Sequence, residues 1–427
     1  MHKLLKLLKE NSLFQLLSSK LFVQVTTILQ SIIVSRLLGP AGKGEFTEAI
    51  LWPTIVASLS MFGLYTAIVR ISAKKELSRR VNITKSVIRV TLITGLFGTI
   101  IAYFVNTMMF AAESFLLVAQ FYAVYALIYN VNRGLSAINN GRGNMGIFSI
   151  SASILNPVFF LGILVLYLLD KISINTLLIA LLLANFSSLV FLYCVRERSD
   201  IKRTLSPCAL LKYSIRFSPS DFSEPLYAYY DKAIIAFVLS AYDLGLYTIA
   251  YSAAAMINVI SATFATQLFS DVARGSCDHL HRYIRVNLIT MVLMSMFMCV
   301  VLPFAIPLVF GADFRPAVPI SLLLLIVCIL QGQSSIIERA ILARGFPYVG
   351  IQAKMLTMGV YLIGAFVFYG LGISSLYSLS MLLILVQAVY LGYMQYRMKG
   401  IFGVQRMAPN IADISDYFKR INRFMKK

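Results

Sequence analysis

Four charged residues occur close together within an apolar stretch of the chain, where they could bind an ion or a charged ligand. Residues 217–240 read FSPSDFSEPLYAYYDKAIIAFVLS and contain Asp221, Glu224, Asp231 and Lys232. On a helix these side chains fall within an arc of roughly 100°, so we expect them to face one direction. A charge deep in a membrane span costs roughly 2.5–3.5 kcal/mol on insertion scales, which makes each a candidate functional residue. The alternative is that Asp231 and Lys232 only hold helices together.

Three further cations in apolar stretches are candidates for the same site: Lys20, Arg133 and Lys354. With Lys232 they would make a cavity positive, and anions are attracted strongly where the dielectric constant is low. Nearby Gln, Ser, Thr and Tyr side chains suit hydroxyl-rich ligands. The pattern therefore predicts a head group of phosphate and sugar whose lipid tail stays in the bilayer. Two alternatives remain open, since Lys20 could extend to the interface and the other two could set the orientation of the chain.

The elements that must position these residues are membrane-spanning helices. Of the 427 residues, 59% are apolar and only 13% are charged, and the mean hydropathy is +0.79. So few charges cannot cover the surface of a soluble protein. About twelve apolar segments reach the ~20 residues that a ~30 Å hydrocarbon core requires. They are 12–35, 47–69, 86–106, 114–138, 146–169, 176–195, 217–240, 246–270, 286–309, 318–341, 351–369 and 376–396. The sequence predicts an all-α polytopic membrane protein with no folded soluble domain.

The basic residues are distributed so unevenly that they predict an orientation. The chain has 38 Lys and Arg against 18 Asp and Glu. About 30 cations fall on the face that holds both termini and about four on the other, so the positive-inside rule predicts cytoplasmic termini. The positive excess then indicates contact with anionic membrane lipids and not with nucleic acid. The neighbours Glu338 and Arg339 are expected to form an interfacial ion pair.

Motifs of enzymes and metalloproteins are not apparent in the sequence. It contains no G-x-x-x-x-G-K-[ST] phosphate loop, which would bind a nucleotide. His279 and His281 lie beside Cys277 and Asp278, a group that we interpret as a solvated turn and not as a metal site. We expect no metal, no cofactor and no enzymatic activity. The five cysteines are expected to be reduced.

Two pairs of segments resemble each other at nearly the same separation. RLLGPAGKGEFTEA begins at Arg36 and FVLSAYDLGLYTIA at Phe237, while GRGNMG and GFPYVG begin at Gly141 and Gly345. Six spans per half is an even number, so both halves enter the membrane from the same side, as in a parallel repeat. We predict two six-helix lobes, 1–200 and 201–396, with a V-shaped central cavity, followed by a basic cytoplasmic tail, 397–427. The alternative is that glycine-rich turns simply recur in membrane proteins.

These motifs also resemble a known family. RLLGPAGKGEF is similar to the L-G-P-x-x-x-G-x-[FY] signature of polysaccharide flippases, which include the O-antigen flippases of the multidrug/oligosaccharidyl-lipid/polysaccharide exporter superfamily. Tyr230-Asp231-Lys232 and Gly245-Leu-Tyr247 are similar to that family's second-half pattern. The resemblance implies a flippase of the bacterial inner membrane. It would carry undecaprenyl-diphosphate-linked oligosaccharide from the cytoplasmic to the periplasmic leaflet by alternating access of two lobes, coupled to an ion gradient.

The resemblance also implies roles for individual residues. Gly39, Pro40 and Gly44 would shape the periplasmic turn after the first span, with Gly245 as their second-half equivalent. Residues 240–241 are Ser-Ala where the first half has Gly-Pro, so the geometry of the second turn departs from the family pattern. The four cations named above would engage the diphosphate, and the three carboxylates of residues 217–240 would balance them or exchange a proton or sodium ion. The implied partners are the lipid-linked oligosaccharide, membrane lipids, a polysaccharide polymerase and a chain-length regulator.

Three other classes of membrane protein are alternatives. A multidrug or toxin extruder of the same superfamily would favour an acid-rich cavity for cationic drugs, whereas this chain offers cations. A major facilitator transporter normally shows G-x-x-x-D-[RK]-x-G-[RK]-[RK] after its second span, and VRISAKKELSRR lacks that Asp and its Gly. An O-antigen polymerase or ligase would have similar hydropathy, but it would need a larger periplasmic loop than this chain provides.

Overall fold

The computed structural model describes residues 12–73, 83–109, 123–196, 206–273 and 280–403, and every regular element within them is helical. Three short 3-10 turns, at Ile215–Phe217, Ala255–Ile257 and Ala312–Phe314, join neighbouring α-helices. The α-helices are α1 (Ser12–Leu59), α2 (Leu64–Ala73), α3 (Ile83–Met109), α4 (Tyr125–Arg142), α5 (Met145–Leu168), α6 (Ile174–Val195), α7 (Pro207–Ser214), α8 (Ser218–Val238), α9 (Ala241–Ala254), α10 (Asn258–Ala273), α11 (Leu280–Phe310), α12 (Ala317–Ala343), α13 (Pro347–Gly370) and α14 (Leu376–Phe402).

The helices confirm the prediction of an all-α, multi-pass membrane protein. Nine helical segments in the described ranges are long and apolar enough to cross a membrane. The first of them, Val25–Leu59, includes parts of the first two predicted spans. The predicted seventh span corresponds to α8, and the described part of the predicted fourth span, 123–138, includes the start of α4; neither helix is among the nine, and residues 114–122 lie outside the described ranges. Arg133 and the cluster from Asp221 to Lys232 therefore lie in helices that are less apolar than these nine segments.

The first two predicted spans are separated by a single non-helical residue. Gly39 (φ 68°, ψ −177°) interrupts α1, and only glycine adopts this part of backbone space at little cost. Pro40 follows at the first position of the next helical part, where its missing N–H costs no hydrogen bond. The second predicted span is broken again at Phe62 (φ 45°) and Gly63 (φ 76°), after which the chain continues as α2.

The second half of the chain repeats the element order of the first. Helices α5 and α13 have 24 residues each and begin at Met145 and Pro347. The next helices, α6 and α14, begin after Ser173 and Ser375, which are separated by the same distance in sequence. Both serines form capping boxes, in which the side chain accepts a hydrogen bond from the third helical N–H. The parallel repeat is therefore present in the helix boundaries as well as in the sequence.

The chain packs into two compact units, Met1–Tyr229 and Tyr230–Lys427. In the first unit, buried side chains such as Ile68, Val87 and Leu135 pack α2, α3 and α4 together. In the second unit a comparable core joins α10 to α14 and includes Ile337 and Met394. The division falls within α8. The lobe boundaries at 200/201, the central cavity and the role of the tail stay predictions, and residues 404–427 of that tail lie outside the described ranges.

Candidate functional site

The four charged residues of α8 do not share one environment. Different helices pack along the length of α8, and the common direction predicted for these side chains stays a prediction. Asp221 bonds to Thr66 of α2, whereas Asp231 bonds to Tyr247 of α9. Lys232 is half-buried and Glu224 is exposed. The sequence placed all four on one side of an ideal helix, and it could not show which neighbours each would meet.

In the first unit, Asp221 binds the start of α2. Its carboxylate accepts a hydrogen bond from the hydroxyl of Thr66 (2.6 Å) and another from the backbone N–H of the same residue (3.3 Å). Glu224 lies one turn further along α8 and interacts electrostatically with Asp221. Asp221 is therefore held by α2, and Thr66 is a partner that local sequence patterns did not identify.

Arg133 is the charged group of α4 and remains exposed. Its guanidinium lies 4.4 Å from the ring centroid of Tyr65 and 5.9 Å from that of Tyr129, and such cation–π contacts hold a guanidinium in place without neutralising it. Asp221 and Tyr229 interact electrostatically with Arg133. An exposed cation on aromatic rings can bind an anion at the guanidinium and a sugar ring on the adjoining tyrosines.

Tyr65 and Tyr129 were not identified from the sequence, although each is fixed by a polar neighbour. The amide of Asn140 donates to the hydroxyl of Tyr65 (3.0 Å), and the hydroxyl of Ser58 donates to that of Tyr129 (3.3 Å). Arg133 and Asn140 are two helical turns apart on α4, so they share one face. That spacing was a possible sequence signal, but the partner tyrosine comes from the distant second span.

In the second unit, Asp231 is buried, with 6% of its surface exposed. The hydroxyl of Tyr247 donates to its carboxylate at 2.6 Å. The adjacent residue, Tyr230, packs edge-on against Tyr361 at 5.1 Å between ring centroids and accepts a hydrogen bond from the amide of Gln387 (3.4 Å). The carboxylate therefore belongs to a packed polar layer between helices and does not line an open surface.

Lys232 follows Asp231 in sequence, but it contacts the ring of a different tyrosine of α9. Its ammonium is 5.1 Å from the centroid of Tyr251, whose hydroxyl donates to Gln331 of α12 (3.2 Å). Tyr247 and Tyr251 are stacked at 6.0 Å between ring centroids. Tyr247 thus contacts the carboxylate of Asp231, and Tyr251 contacts the ammonium of Lys232.

Lys354 forms an ion pair inside the second unit. Its ammonium lies 2.8 Å from a carboxylate oxygen of Glu338, and only 4% of Lys354 is exposed. Tyr390 of α14 donates a hydrogen bond to the other oxygen of the same carboxylate (3.0 Å). The prediction that Glu338 pairs with Arg339 is therefore wrong, because Glu338 pairs with Lys354 of the next helix. Lys354 is used in packing, and its role in binding a substrate stays a prediction.

A glycine makes room for this ion pair. A Cβ atom at Gly350 would lie 2.8 Å from a carboxylate oxygen of Glu338. Gly350 is the last residue of the GFPYVG segment that the sequence matched to GRGNMG. In the first half, a Cβ at Gly141 would collide with the backbone of α2 at Val69. In both halves a glycine of the repeated segment permits close approach of another element.

The predicted turn residues lie at equivalent places in the two halves. Gly39 and Pro40 separate the two parts of α1, and Ser240 and Ala241 begin α9 in the second half. Ser240 replaces the glycine with a capping box, since its hydroxyl bonds to Asp243 and accepts from the N–H of that residue. Gly44 and Gly245 are both buried. Their periplasmic placement stays a prediction, as does the role of Lys20, which lies in α1.

The described residues contain no group of three or more His, Cys, Asp or Glu that could hold a metal ion. Cys277, Asp278 and His279 lie outside the described ranges. The run GRGNMG has the G-x-G-x-x-G spacing, but it connects helices α4 and α5. A dinucleotide site would require a strand before it.

An all-helical, multi-pass membrane protein that repeats its element order and places charges within its spans has the architecture of a membrane transporter. A model of the family described as "Polysaccharide biosynthesis protein" matches residues 10–269, which is more than half of the chain. The chain belongs to this family. No curated protein matches the chain.

Solved structures show the same fold at low sequence identity. A structure described as the lipid II flippase MurJ in an inward closed conformation has a TM-score of 0.71 at 15% identity, and the match covers 92% of this chain and 88% of that one. An inward-facing multidrug resistance MATE family transporter of the MOP superfamily has a TM-score of 0.68 at 14% identity, covering 90% and 96%. A MOP superfamily transporter from Pyrococcus furiosus has a TM-score of 0.64 at 13% identity, covering 91% and 95%.

Proposed function

We propose that the protein is a flippase that moves a polysaccharide repeat unit linked to undecaprenyl diphosphate from the cytoplasmic to the periplasmic leaflet of a bacterial inner membrane. Transport would proceed by alternating access of two lobes coupled to an ion gradient. Membership of the polysaccharide biosynthesis family supports the substrate class. A flippase needs to bind a doubly charged diphosphate and a sugar while the lipid tail remains in the bilayer.

The observation that supports this proposal best is the exposed guanidinium of Arg133 on the rings of Tyr65 and Tyr129. An exposed charge in a membrane helix is costly and is kept where it binds something. The planar guanidinium matches two phosphate oxygens at once, which an ammonium cannot do. We assign binding of the diphosphate to Arg133 and Lys232, and ion coupling to Asp231, which is buried beside Tyr247.

Export of cationic drugs is a less suitable function for these residues. A cationic drug requires carboxylates that are open to it, as the multidrug alternative assumes. Among the described side chains, Asp221 accepts bonds from Thr66, Asp231 accepts one from Tyr247, and Glu338 is paired with Lys354. Glu224 and Arg133 are both exposed, and the guanidinium lies on the rings of Tyr65 and Tyr129. A guanidinium held on two tyrosine rings supports an anionic, sugar-bearing ligand.

The proposal is tested by replacing the two cations in the native strain, with the chromosomal copy deleted and the variants supplied on a plasmid. Arg133→Gln and Lys232→Ala should each reduce surface polysaccharide by about tenfold or more, because a diphosphate would lose a charged partner. Arg133→Lys should give an intermediate amount, since it keeps the charge but loses the planar fork. The measurement is the polysaccharide ladder on gels, normalised to membrane levels of the protein.

A matched control is Arg196→Gln. Arg196 also lies over a tyrosine ring, at 3.5 Å from the centroid of Tyr193, but outside the cluster around Arg133. It should leave the ladder unchanged. A normal ladder from both Arg133→Gln and Lys232→Ala, at normal protein levels, would refute the assignment of these cations to the diphosphate.

A further inference from the structure

We propose that Asp221 is a positioning residue: it caps the broken second span from a distance and thereby holds Tyr65 and the guanidinium of Arg133 in place for an anionic head group. Asp221 belongs to α8, whereas the helix it caps is α2. The inference has three steps: Asp221 caps α2, the capped helix positions Tyr65 and Arg133, and Arg133 binds the head group. The first two steps rest on contacts within the unit Met1–Tyr229. The third step rests on the proposed function.

The first step concerns the start of α2. Helix α1 ends at Leu59, and α2 begins at Leu64 after Phe62 and Gly63, whose φ angles are positive. The first N–H groups of any helix have no partner within it, and a side chain before the helix usually accepts from one of them. Gly63 has no side chain, so the residue before α2 cannot provide such a cap.

Asp221 supplies the missing acceptor. Thr66 is the third residue of α2, and both its N–H and its hydroxyl donate to the carboxylate of Asp221. The third N–H is one of those that a capping side chain ordinarily satisfies. A negative charge at a helix N-terminus is also favoured by the helix dipole. The carboxylate therefore acts as an N-cap contributed by a residue far away in sequence.

The break and the beginning of α8 are packed directly against each other. A Cβ atom at Gly63 would collide with the backbone of Ser214, Phe217 and Ser218. Phe62 packs edge-on against Phe222, the residue after Asp221, with 5.9 Å between ring centroids. The carboxylate of Asp221 is thus brought to α2 by backbone packing, which leaves it little freedom to find another partner.

The second step leads from the cap to Arg133. Tyr65 immediately precedes Thr66, and its ring lies 4.4 Å from the guanidinium. Asn140 of α4 holds the hydroxyl of the same tyrosine. If the first turn of α2 loosens, Tyr65 moves and the guanidinium loses the ring that orients it. Asp221 also attracts Arg133 electrostatically, so loss of the carboxylate removes both influences.

The test uses the full-length protein in lipid nanodiscs and three threonine variants. Thr66→Val keeps the size of the side chain but removes its hydroxyl, and Thr66→Ser restores a hydroxyl. Thr99→Val is the matched control, since Thr99 donates within its own helix to Gly95. The first measurement is the rate at which phenylglyoxal modifies Arg133, followed by mass spectrometry. We expect Thr66→Val to increase this rate by about tenfold and the other two variants to match the wild type.

The second measurement is binding of undecaprenyl diphosphate to the same nanodiscs. Thr66→Val should weaken binding by about tenfold, or about 1.4 kcal/mol, and Asp221→Ala by at least as much. In an Arg133→Gln background, Thr66→Val should have no further effect, because residues that act through one another are not additive. If the double variant loses affinity by the product of the two single-variant factors, the inference is overturned, since Thr66 would then act without Arg133.

Unchanged modification of Arg133 in both Thr66→Val and Asp221→Ala would also overturn the inference. The proposed function can fail separately. If modification of Arg133 responds to the cap as expected, but Arg133→Gln binds undecaprenyl diphosphate as the wild type does, Asp221 positions Arg133 and the diphosphate site lies elsewhere.

Discussion

Individual charges within the spans fall into two groups that the sequence does not separate. Lys354 and Asp231 are buried and satisfied by partners from other helices, whereas Arg133 and Glu224 are exposed. A buried charge must be paired or hydrogen-bonded because desolvation costs several kcal/mol per ion. An exposed charge does not need to be paired in this way. Exposure therefore distinguishes Arg133 as the better candidate for ligand binding and Lys354 as the better candidate for stability.

The ion pair in the second unit gives a prediction about stability. Lys354→Ala should destabilise the protein by about 3 kcal/mol, the low end for a broken buried pair because Glu338 is 24% exposed. The charge exchange Glu338→Lys with Lys354→Glu should recover part of this loss. Thermal unfolding in detergent measures both. Arg339→Ala is the control and should change stability by less than about 0.5 kcal/mol. An Arg339 effect as large as that of Lys354 would show that the pairing is different.

At the scale of elements, the breaks between helices decide where the polar side chains lie. Gly39 separates the parts of α1, and Gly63 allows α2 to begin against the turn before α8. In the second half, Ser240 begins α9 with a capping box at the place equivalent to Gly39. The sequence predicted that spans end near residues 35 and 240, and the family resemblance implied the turn at Gly39 and Pro40. It did not predict the break at 60–63, since a single glycine inside an apolar run is an ordinary feature of membrane helices.

Two glycine substitutions separate backbone strain from collision. Both residues have a positive φ, but a Cβ at Gly39 has no atom within 4 Å, whereas one at Gly63 meets the backbone of Ser214 and Phe217. Gly39→Ala should cost about 1–3 kcal/mol through strain alone, and Gly63→Ala should cost more. The measurement is the midpoint of thermal unfolding for each purified variant. If the two substitutions lower the midpoint equally, the close packing of Gly63 against the backbone of Ser214 and Phe217 contributes nothing to stability.

At the scale of the whole molecule, the repeat and the charge distribution predict how the chain crosses the membrane. The turns before α6 and α14 contain Asp170 (φ 53°) and Gly372 (φ 68°), and those before α5 and α13 contain Gly143 and Gly345. The cations counted in the sequence cluster on the side of the second pair of turns. The two pairs should therefore lie on opposite sides of the membrane.

Reporter fusions test this arrangement. Alkaline phosphatase, which is active only outside the cytoplasm, should be active when fused after Lys171 or Gly372 and inactive when fused after Gly143 or Gly345. The expectation follows from the excess of Lys and Arg on the inner side. The two halves control for each other, because a parallel repeat predicts the same result at equivalent turns of both halves. Activity at Gly143 with inactivity at Lys171 would reverse the predicted orientation, and opposite results in the two halves would contradict the parallel repeat.

The sequence by itself determined the helical class, most of the apolar spans and the repeat, and the family resemblance pointed to the turn at Gly39. These properties depend on the length of apolar runs and on local residues such as Gly, Pro and Ser, which act on their own segment of backbone. Only the tertiary structure decided that Glu338 pairs with Lys354 and not with Arg339, that Asp221 binds Thr66, and that Arg133 rests on Tyr65. Each of these contacts joins separate helices, and local periodicity records which face of a helix is polar but not which helix will pack against it.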